Sequence, residues 1–284
     1  MLSNEQRIFL LTKAYNAALR AGKVILELYE QGADKNQDID LKTDLTPITL
    51  ADLRAHATIK EYLSQTRIPL LSEEGREMQY FERSHWDLFW MVDPLDGTKE
   101  FLKRNGEFTV SIALMVDNKP QLGVIYVPYL SKIYFSDTQE GSFVKVNAVA
   151  DENADFSYAD IVEGCESLPL KTECNSPIKV GVSRSHINEL TYKYIDSLRE
   201  KYPDLETVIQ GSSYKFCLLA EGVIDYYVRT TNTYEWDTAA GEVILQMTGG
   251  ETLELDSLKP MDYNKESSLQ NPFFVCKSKF FKEK

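Results

Sequence analysis

Asp93 and Asp96 stand three positions apart, separated by Pro94 and Leu95 and followed at once by Gly97 and Thr98. Pro94 fixes φ and donates no hydrogen bond, which suits a chain leaving a strand, and Gly97 lets the backbone pass close to a ligand. Two oxygen ligands at this spacing can face one cation, while the N–H groups that follow can face an anion. The apolar run LFWMV before Asp93 reads as the strand that ends there. Turn and N-cap positions also favour Asp, so a purely structural role is the competing reading. Against it, Leu70-Leu71-Ser72-Glu73-Glu74-Gly75 ends a second apolar run in acids, and Tyr234-Glu235-Trp236-Asp237 places another acid where a helical pattern begins. No Cys or His stands beside these acids. All-oxygen ligation selects a hard ion such as Mg²⁺ over Zn²⁺.

The runs 90–114 and 236–250 resemble the two signatures of the inositol monophosphatase superfamily of Mg²⁺-dependent, lithium-sensitive phosphatases. DPLDGTKEFLKRNGEFTVSIAL, SRSH at 183–186, GSSYKFCLLAEG from 211 and DYNKESSLQNP near the end are similar to its bisphosphate nucleotidase branch, with matching segments from about residue 8 to 277. The resemblance implies a layered αβαβα sandwich, of mixed α+β and α/β character, with the active site between its halves. It implies Mg²⁺-dependent hydrolysis of the 3′-phosphate of adenosine 3′,5′-bisphosphate, or of its sulfated analogue, to AMP-type products and phosphate. An inositol monophosphatase or fructose-1,6-bisphosphatase would share the metal site, and a nucleotide-binding regulatory protein would have lost the chemistry. Against the last stands the complete set Glu73, Asp93, Asp96, Thr98 and Asp237.

Carried over by motif, the resemblance implies that two to three Mg²⁺ ions lie on Glu73, Asp93, the backbone carbonyl of Leu95, Asp96 and Asp237, with Glu74 the alternative to Glu73. It places Thr98 and Glu73 around the nucleophilic water, Asp52 nearby as a base, and Lys42 near an outer metal-bound water. Gly97 and Thr98 are expected to offer N–H groups to the phosphate. Ser183, His186, Gly211, Ser213, Lys215 and Arg229 match positions that hold the nucleotide, together with Asp237. Of these, Lys215 and Arg229 could form a second anion site remote from the metals. Read without the resemblance, Asp52 is an exposed acid in the first turn of a helix, favoured by its dipole, and Asp237 is the N-cap of a helix from 238. Likewise His186 can cap the helix that begins near Asn188, Lys42 and Lys215 can be solvated lysines, and Trp236 can be core packing. The segment TTNTYEWDT departs from the commonest bacterial version, which bears on the placement of Arg229.

The elements that must position these residues follow from periodicity. Ser3 and Gln6 can form a capping box, and Ile8, Leu11, Tyr15, Ala18, Gly22, Ile25 and Tyr29 keep the three-and-four spacing of one buried helix face. A second helix is expected over 49–64, strands over 69–72 and 89–93, and a meander over 108–116, 123–127 and 133–135. The stretch 149–177 is acidic and irregular and marks the expected junction between an N-terminal α+β domain (1–150) and a C-terminal α/β domain (151–284). Beyond it, strands at 179–183, 206–210 and 224–228 alternate with helices at 187–202, 213–221 and 237–247.

With 284 residues, 43% hydrophobic and 26% charged, the chain has the composition of one or two globular domains. Its net charge of −13 disfavours general binding to nucleic acid or anionic lipid. An anionic substrate then needs local metal ions and a few placed cations. The expected partner is a small nucleotide bisphosphate, and the expected state a monomer or homodimer. Cys165, Cys174, Cys217 and Cys276 lack CxxC spacing, so free thiols are expected, with a Cys165–Cys174 disulfide as the alternative. No stretch approaches the ~20 apolar residues of a membrane span. The N-terminus lacks a signal-peptide pattern, so a cytoplasmic location is expected. Peripheral association with the inner membrane, described for some relatives, is compatible with the sequence.

Overall fold

Ser3 N donates to Gln6 Oε1 at 2.9 Å and Gln6 N to Ser3 Oγ at 3.2 Å, and from this capping box runs α1 (Asn4–Gln31). The computed structural model describes residues 2–31, 40–41, 47–151 and 154–282. Lys42 lies outside the described residues. After α1 come β1 (Asp40–Leu41), β2 (Pro47–Ile48), α2 (Leu50–Ser64), β3 (Leu70–Ser72), α3 (Tyr80–Arg83), β4 (Leu88–Asp96) and α4 (Thr98–Leu102). They are followed by β5 (Thr109–Val116), β6 (Lys119–Val127), β7 (Lys132–Asp137), β8 (Gly141–Lys145), α5 (Tyr158–Val162) and β9 (Glu166–Ser167). The remaining elements are β10 (Lys179–Ser183), α6 (Glu189–Lys201), β11 (Glu206–Gln210), α7 (Tyr214–Glu221), β12 (Tyr226–Arg229), α8 (Ala239–Met247), β13 (Glu251–Glu254) and β14 (Phe274–Lys277).

Strands β3 to β9 form one sheet in chain order, parallel at β3–β4 and antiparallel from β4 onward. The second sheet has the order β11-β10-β12-β14-β13. Its β10 pairs are parallel, while β14 runs antiparallel to both neighbours. The strands β13 and β14 are absent from the sequence-based expectation, and they turn the expected α/β half into a mixed sheet.

Side-chain alternation sorts each strand between two cores. Trp90, Val92, Ile112 and Leu114 join α1 and α2 on one face of the first sheet, whereas Phe89, Met91, Ala113 and Met115 face α7 and α8. Tyr227, Phe274 and Cys276 close that inner layer from the second sheet, and Val180, Val182, Tyr226 and Val228 turn outward onto Ile195 and Leu198 of α6. The order is therefore helix, sheet, helix, sheet, helix. Each fully buried aliphatic side chain stabilises by about 1.5–3 kcal/mol, more than the differences in intrinsic propensity among these residues, so packing sets the layers. All four cysteines are free thiols, Cys165 and Cys174 included. No described helix is long and apolar enough to cross a membrane.

Candidate active site and metal centre

Residues three apart on a regular strand point to opposite faces. Asp93 and Asp96 escape that geometry because β4 carries a bulge between them: Asp93 pairs with Ser111 of β5, and Asp96 with Thr109. The bulged residues are Pro94 and Leu95, and the Leu95 N–H donates to Asp93 Oδ1 at 3.0 Å. Both acids consequently line one pocket of about 160 Å³, together with Glu73 and Asp237. Glu73 is set by its N–H, which donates to Val92 O at 3.1 Å and continues the β3–β4 pairing. Carboxylate oxygens of Glu73, Asp93 and Asp237 lie within 4.8 Å of one another, a group that does not include Glu74. Burial, then Glu73, Asp96 and Asp237, hold the Asp93 carboxyl well above the usual range. Burial, then Asp96 and Glu73, do the same to Asp237. A donor set of carboxylates beside a carbonyl, without Cys or His, fits a hard divalent cation, which would relieve this repulsion.

Asp52 is not the exposed acid that its sequence position suggests; it is 1% exposed. Its Oδ2 accepts from Thr49 N at 2.7 Å, completing the capping box of α2, and its Oδ1 accepts from Thr98 Oγ1 at 2.8 Å. Burial raises the Asp52 carboxyl above its ordinary value, and the Thr49 and Thr98 bonds partly offset this. Gly97 joins β4 to α4 at φ +97°, a region that side chains avoid, and a Cβ there would meet Glu107 O at 3.0 Å.

The Asp237 side chain does not cap α8. It points back to accept from Tyr234 N at 2.9 Å and closes the 3₁₀ turn Glu235–Asp237. That turn is clamped by the DYNKESSLQNP segment. The fully buried Glu235 accepts from Lys265 Nζ and Asn264 N, both at 2.6 Å, and Asn271 Nδ2 donates to Tyr234 O at 2.6 Å. Trp236 stacks on Tyr234 at 5.1 Å between ring centroids.

The expected nucleotide-binding residues line the same pocket. Ser213 is buried; its N–H donates to Asp96 and its hydroxyl pairs with Thr109 at 2.7 Å and Ser111 at 2.9 Å. Gly211 N donates to Glu107 Oε2 at 2.7 Å, and a Cβ on Gly211 would lie 2.7 Å from Glu100 Cγ, so glycine lets the chain after β11 approach α4 and the loop that follows it. Lys215 is 2% exposed, not on a solvated face, and donates to Gln210 O at 2.9 Å and Ser212 O at 2.6 Å. Burial and then Arg229 push its ammonium down to about 7, against the pull of Asp96, Glu100 and Glu107. Arg229 donates to Ser183 Oγ, Thr231 O and Asn232 O at 2.5, 3.3 and 3.1 Å. The cap of α6 is Asn188, which frees His186 for the pocket, where its Nε2 lies 3.0 Å from Lys99 Nζ. Burial, followed by Arg229, Lys99, Lys215 and Lys103, lowers the imidazole to about 3, so it is neutral.

The profile of the inositol monophosphatase family matches residues 9–278. The chain belongs to this family. It is 38% identical over 270 residues to the 3′(2′),5′-bisphosphate nucleotidase CysQ of Shigella flexneri, an alignment spanning 93% of this chain and 98% of that one. The crystal structure of CysQ from Bacteroides thetaiotaomicron superposes with a TM-score of 0.87 at 41% identity, covering 97% of this chain and 99% of that one. Inositol monophosphatase-II of Staphylococcus aureus shares the fold, with a TM-score of 0.69 at 20% identity over 96% of this chain and 90% of its own.

Lys99, Ser185 and Thr233 also line the pocket without having been singled out from the sequence. Lys99 had a local signal, a cation directly after Gly97-Thr98. The other two come from loops whose approach depends on the packing of the two sheets.

Proposed function

We propose that the protein is a 3′(2′),5′-bisphosphate nucleotidase that hydrolyses the 3′-phosphate of adenosine 3′,5′-bisphosphate to AMP and phosphate. Support comes from the relatives of that name aligned over nearly the whole chain. The observation that carries the reading is a single pocket in which the Glu73, Asp93 and Asp237 carboxylates meet the cations Lys99, Lys215 and Arg229. A metal-bound reacting phosphate needs the first set, and a second phosphate needs the other.

When bound, two to three Mg²⁺ ions on Glu73, Asp93, the Leu95 carbonyl, Asp96 and Asp237 would neutralise the phosphate and lower the pKa of a water. Thr98 Oγ1 already donates its proton to Asp52 Oδ1. Its oxygen can therefore accept a proton from the attacking water while its own passes to Asp52, whose raised pKa makes it the stronger base. Glu73 belongs to the same water site in this reading. The Gly97 and Thr98 backbone and Ser183, His186, Gly211 and Ser213 shape the nucleotide end, and Lys215 with Arg229 supplies positive field there. A cytoplasmic setting and a monomer or homodimer belong to the same reading.

The test is phosphate release, with Mg²⁺ and after exhaustive chelation, from adenosine 3′,5′-bisphosphate, its sulfated analogue, inositol 1-phosphate and fructose 1,6-bisphosphate. The expected result is the highest kcat/KM on the nucleotide bisphosphate, loss of turnover on chelation, and inhibition by Li⁺. Preference for inositol 1-phosphate, or full activity without divalent ions, would overturn the reading.

A further inference from the structure

We infer that Lys99, steadied by His186, is the residue that grips the phosphate left uncleaved in the bisphosphate substrate. The inference rests on the proposed function. Its first ground is the commitment of the pocket's cations. Lys215 Nζ spends two donors on the carbonyls of Gln210 and Ser212, and Arg229 uses Nε, Nη1 and Nη2 on Thr231, Ser183 and Asn232. Among the described residues Lys99 Nζ makes one hydrogen bond, to His186 Nε2 at 3.0 Å. An ammonium has three donors. Two are therefore left for a ligand, against one on Lys215; Arg229 also keeps two of its five, but bonds at Nε, Nη1 and Nη2 fix its guanidinium plane, whereas Lys99 Nζ is held by one neutral acceptor.

The second ground is the charge around His186. Arg229, Lys99, Lys215 and Lys103 all act on this neutral ring, so several positive charges converge here, and of the four Lys215 and Arg229 also face the Asp96 carboxylate. The nearby acids are occupied: Glu107 pairs with Arg184 and the Gly211 N–H, and Glu100 accepts from Ser185. A neutral imidazole can only accept through Nε2 here, which aims the Lys99 ammonium without cancelling its charge. The ligand chemistry that fits is a phosphate monoester dianion held by charge-assisted hydrogen bonds. Lys99 follows Thr98 directly, so one backbone step places a proton relay on one side and a phosphate grip on the other.

The experiment compares Lys99→Ala with wild type on adenosine 3′,5′-bisphosphate and on adenosine 3′-phosphate, which lacks the 5′-phosphate. A lost charge-assisted contact should lower kcat/KM for the bisphosphate by about tenfold to a hundredfold, mainly through KM, and for the monophosphate by less than about threefold. Lys99→Arg should keep most of the bisphosphate activity. Equal losses on both substrates, or none on either, would overturn the inference. If wild type shows no preference for the bisphosphate, the proposed function fails instead. Titration with AMP, which keeps the 5′-phosphate, against adenosine then decides Lys99 alone. Weaker AMP binding in Lys99→Ala with unchanged adenosine binding supports the grip, and unchanged AMP binding defeats it.

Discussion

Thr98 Oγ1 donates to Asp52 Oδ1 at 2.8 Å, joining residues 46 positions apart. The other oxygen of the same carboxylate completes the α2 capping box with Thr49, so Asp52 is at once a helix cap and the partner of a pocket hydroxyl. The two roles differ in scale. A lost cap costs about 1 kcal/mol of stability, whereas a lost proton acceptor costs about 10²–10⁴-fold in rate.

Asp52→Asn is therefore expected to lower kcat by about 10²–10⁴-fold while Tm falls by only a few degrees. Thr98→Val should do the same, and the double variant should be little worse than either alone, because both remove one relay. Steady-state kinetics on the three variants measures this. Multiplicative losses would mean that the two side chains act independently.

The crowding of Glu73, Asp93 and Asp237 within 4.8 Å leads to a stability prediction of opposite sign. Asp93→Asn and Asp237→Asn keep the oxygens that accept from Leu95 N and Tyr234 N while removing one charge each. In chelator at neutral pH their Tm should equal or exceed that of wild type, since like-charge repulsion falls. With millimolar Mg²⁺ the wild type should gain stability and the variants should not, in line with ligand linkage. Their turnover should drop by several orders of magnitude. A variant that melts lower in chelator, yet keeps its activity per folded molecule, would make that Asp structural.

Glu242 supplies a pH dependence separate from the metal site. Burial pushes its carboxyl up to about 7, partly offset by Tyr263 Oη, which donates to it at 2.6 Å. The folded state holds a proton that the unfolded chain, with a pKa near 4.5, has released. This contribution is complete below about pH 4.5 and is lost as pH rises through about 7. Glu242→Gln keeps an acceptor for Tyr263 and cannot ionise. Its Tm relative to wild type should rise by a few degrees between pH 5 and pH 8, on the order of 1–3 kcal/mol, then level off. A Tm difference independent of pH would show that Glu242 titrates normally.

Much of the site was legible because its parts are local. A strand exit needs Pro, Gly and short acids at fixed offsets, and a helix start needs Thr49 with Asp52, so DPLDGT and the α2 cap can be read within a few residues. The helix and strand periods likewise marked α1, α2, the β5–β7 meander and the alternation from β10 to α8. Six short strands among the described residues escaped, β1, β2, β8, β9, β13 and β14. Of the last two, Glu251–Glu254 has four residues with one buried, and Phe274–Lys277 is three apolar residues before a lysine, which periodicity alone cannot assign.

The types and order of the ligand-bearing residues, and the family they resemble, belong to the sequence by itself, since each motif is complete within a handful of neighbours. Burial and convergence do not. Asp52 is buried because Thr98 and the core reach it across the fold, and Asp93 and Asp96 share a face because pairing with β5 forces a bulge that no spacing rule contains. Lys99 meets His186 across 87 positions, and Ser213 bonds both Asp96 and β5, only because α7 and α8 are packed between two sheets. Those contacts are decided by the burial of apolar surface over the whole chain, a sum that no local segment carries.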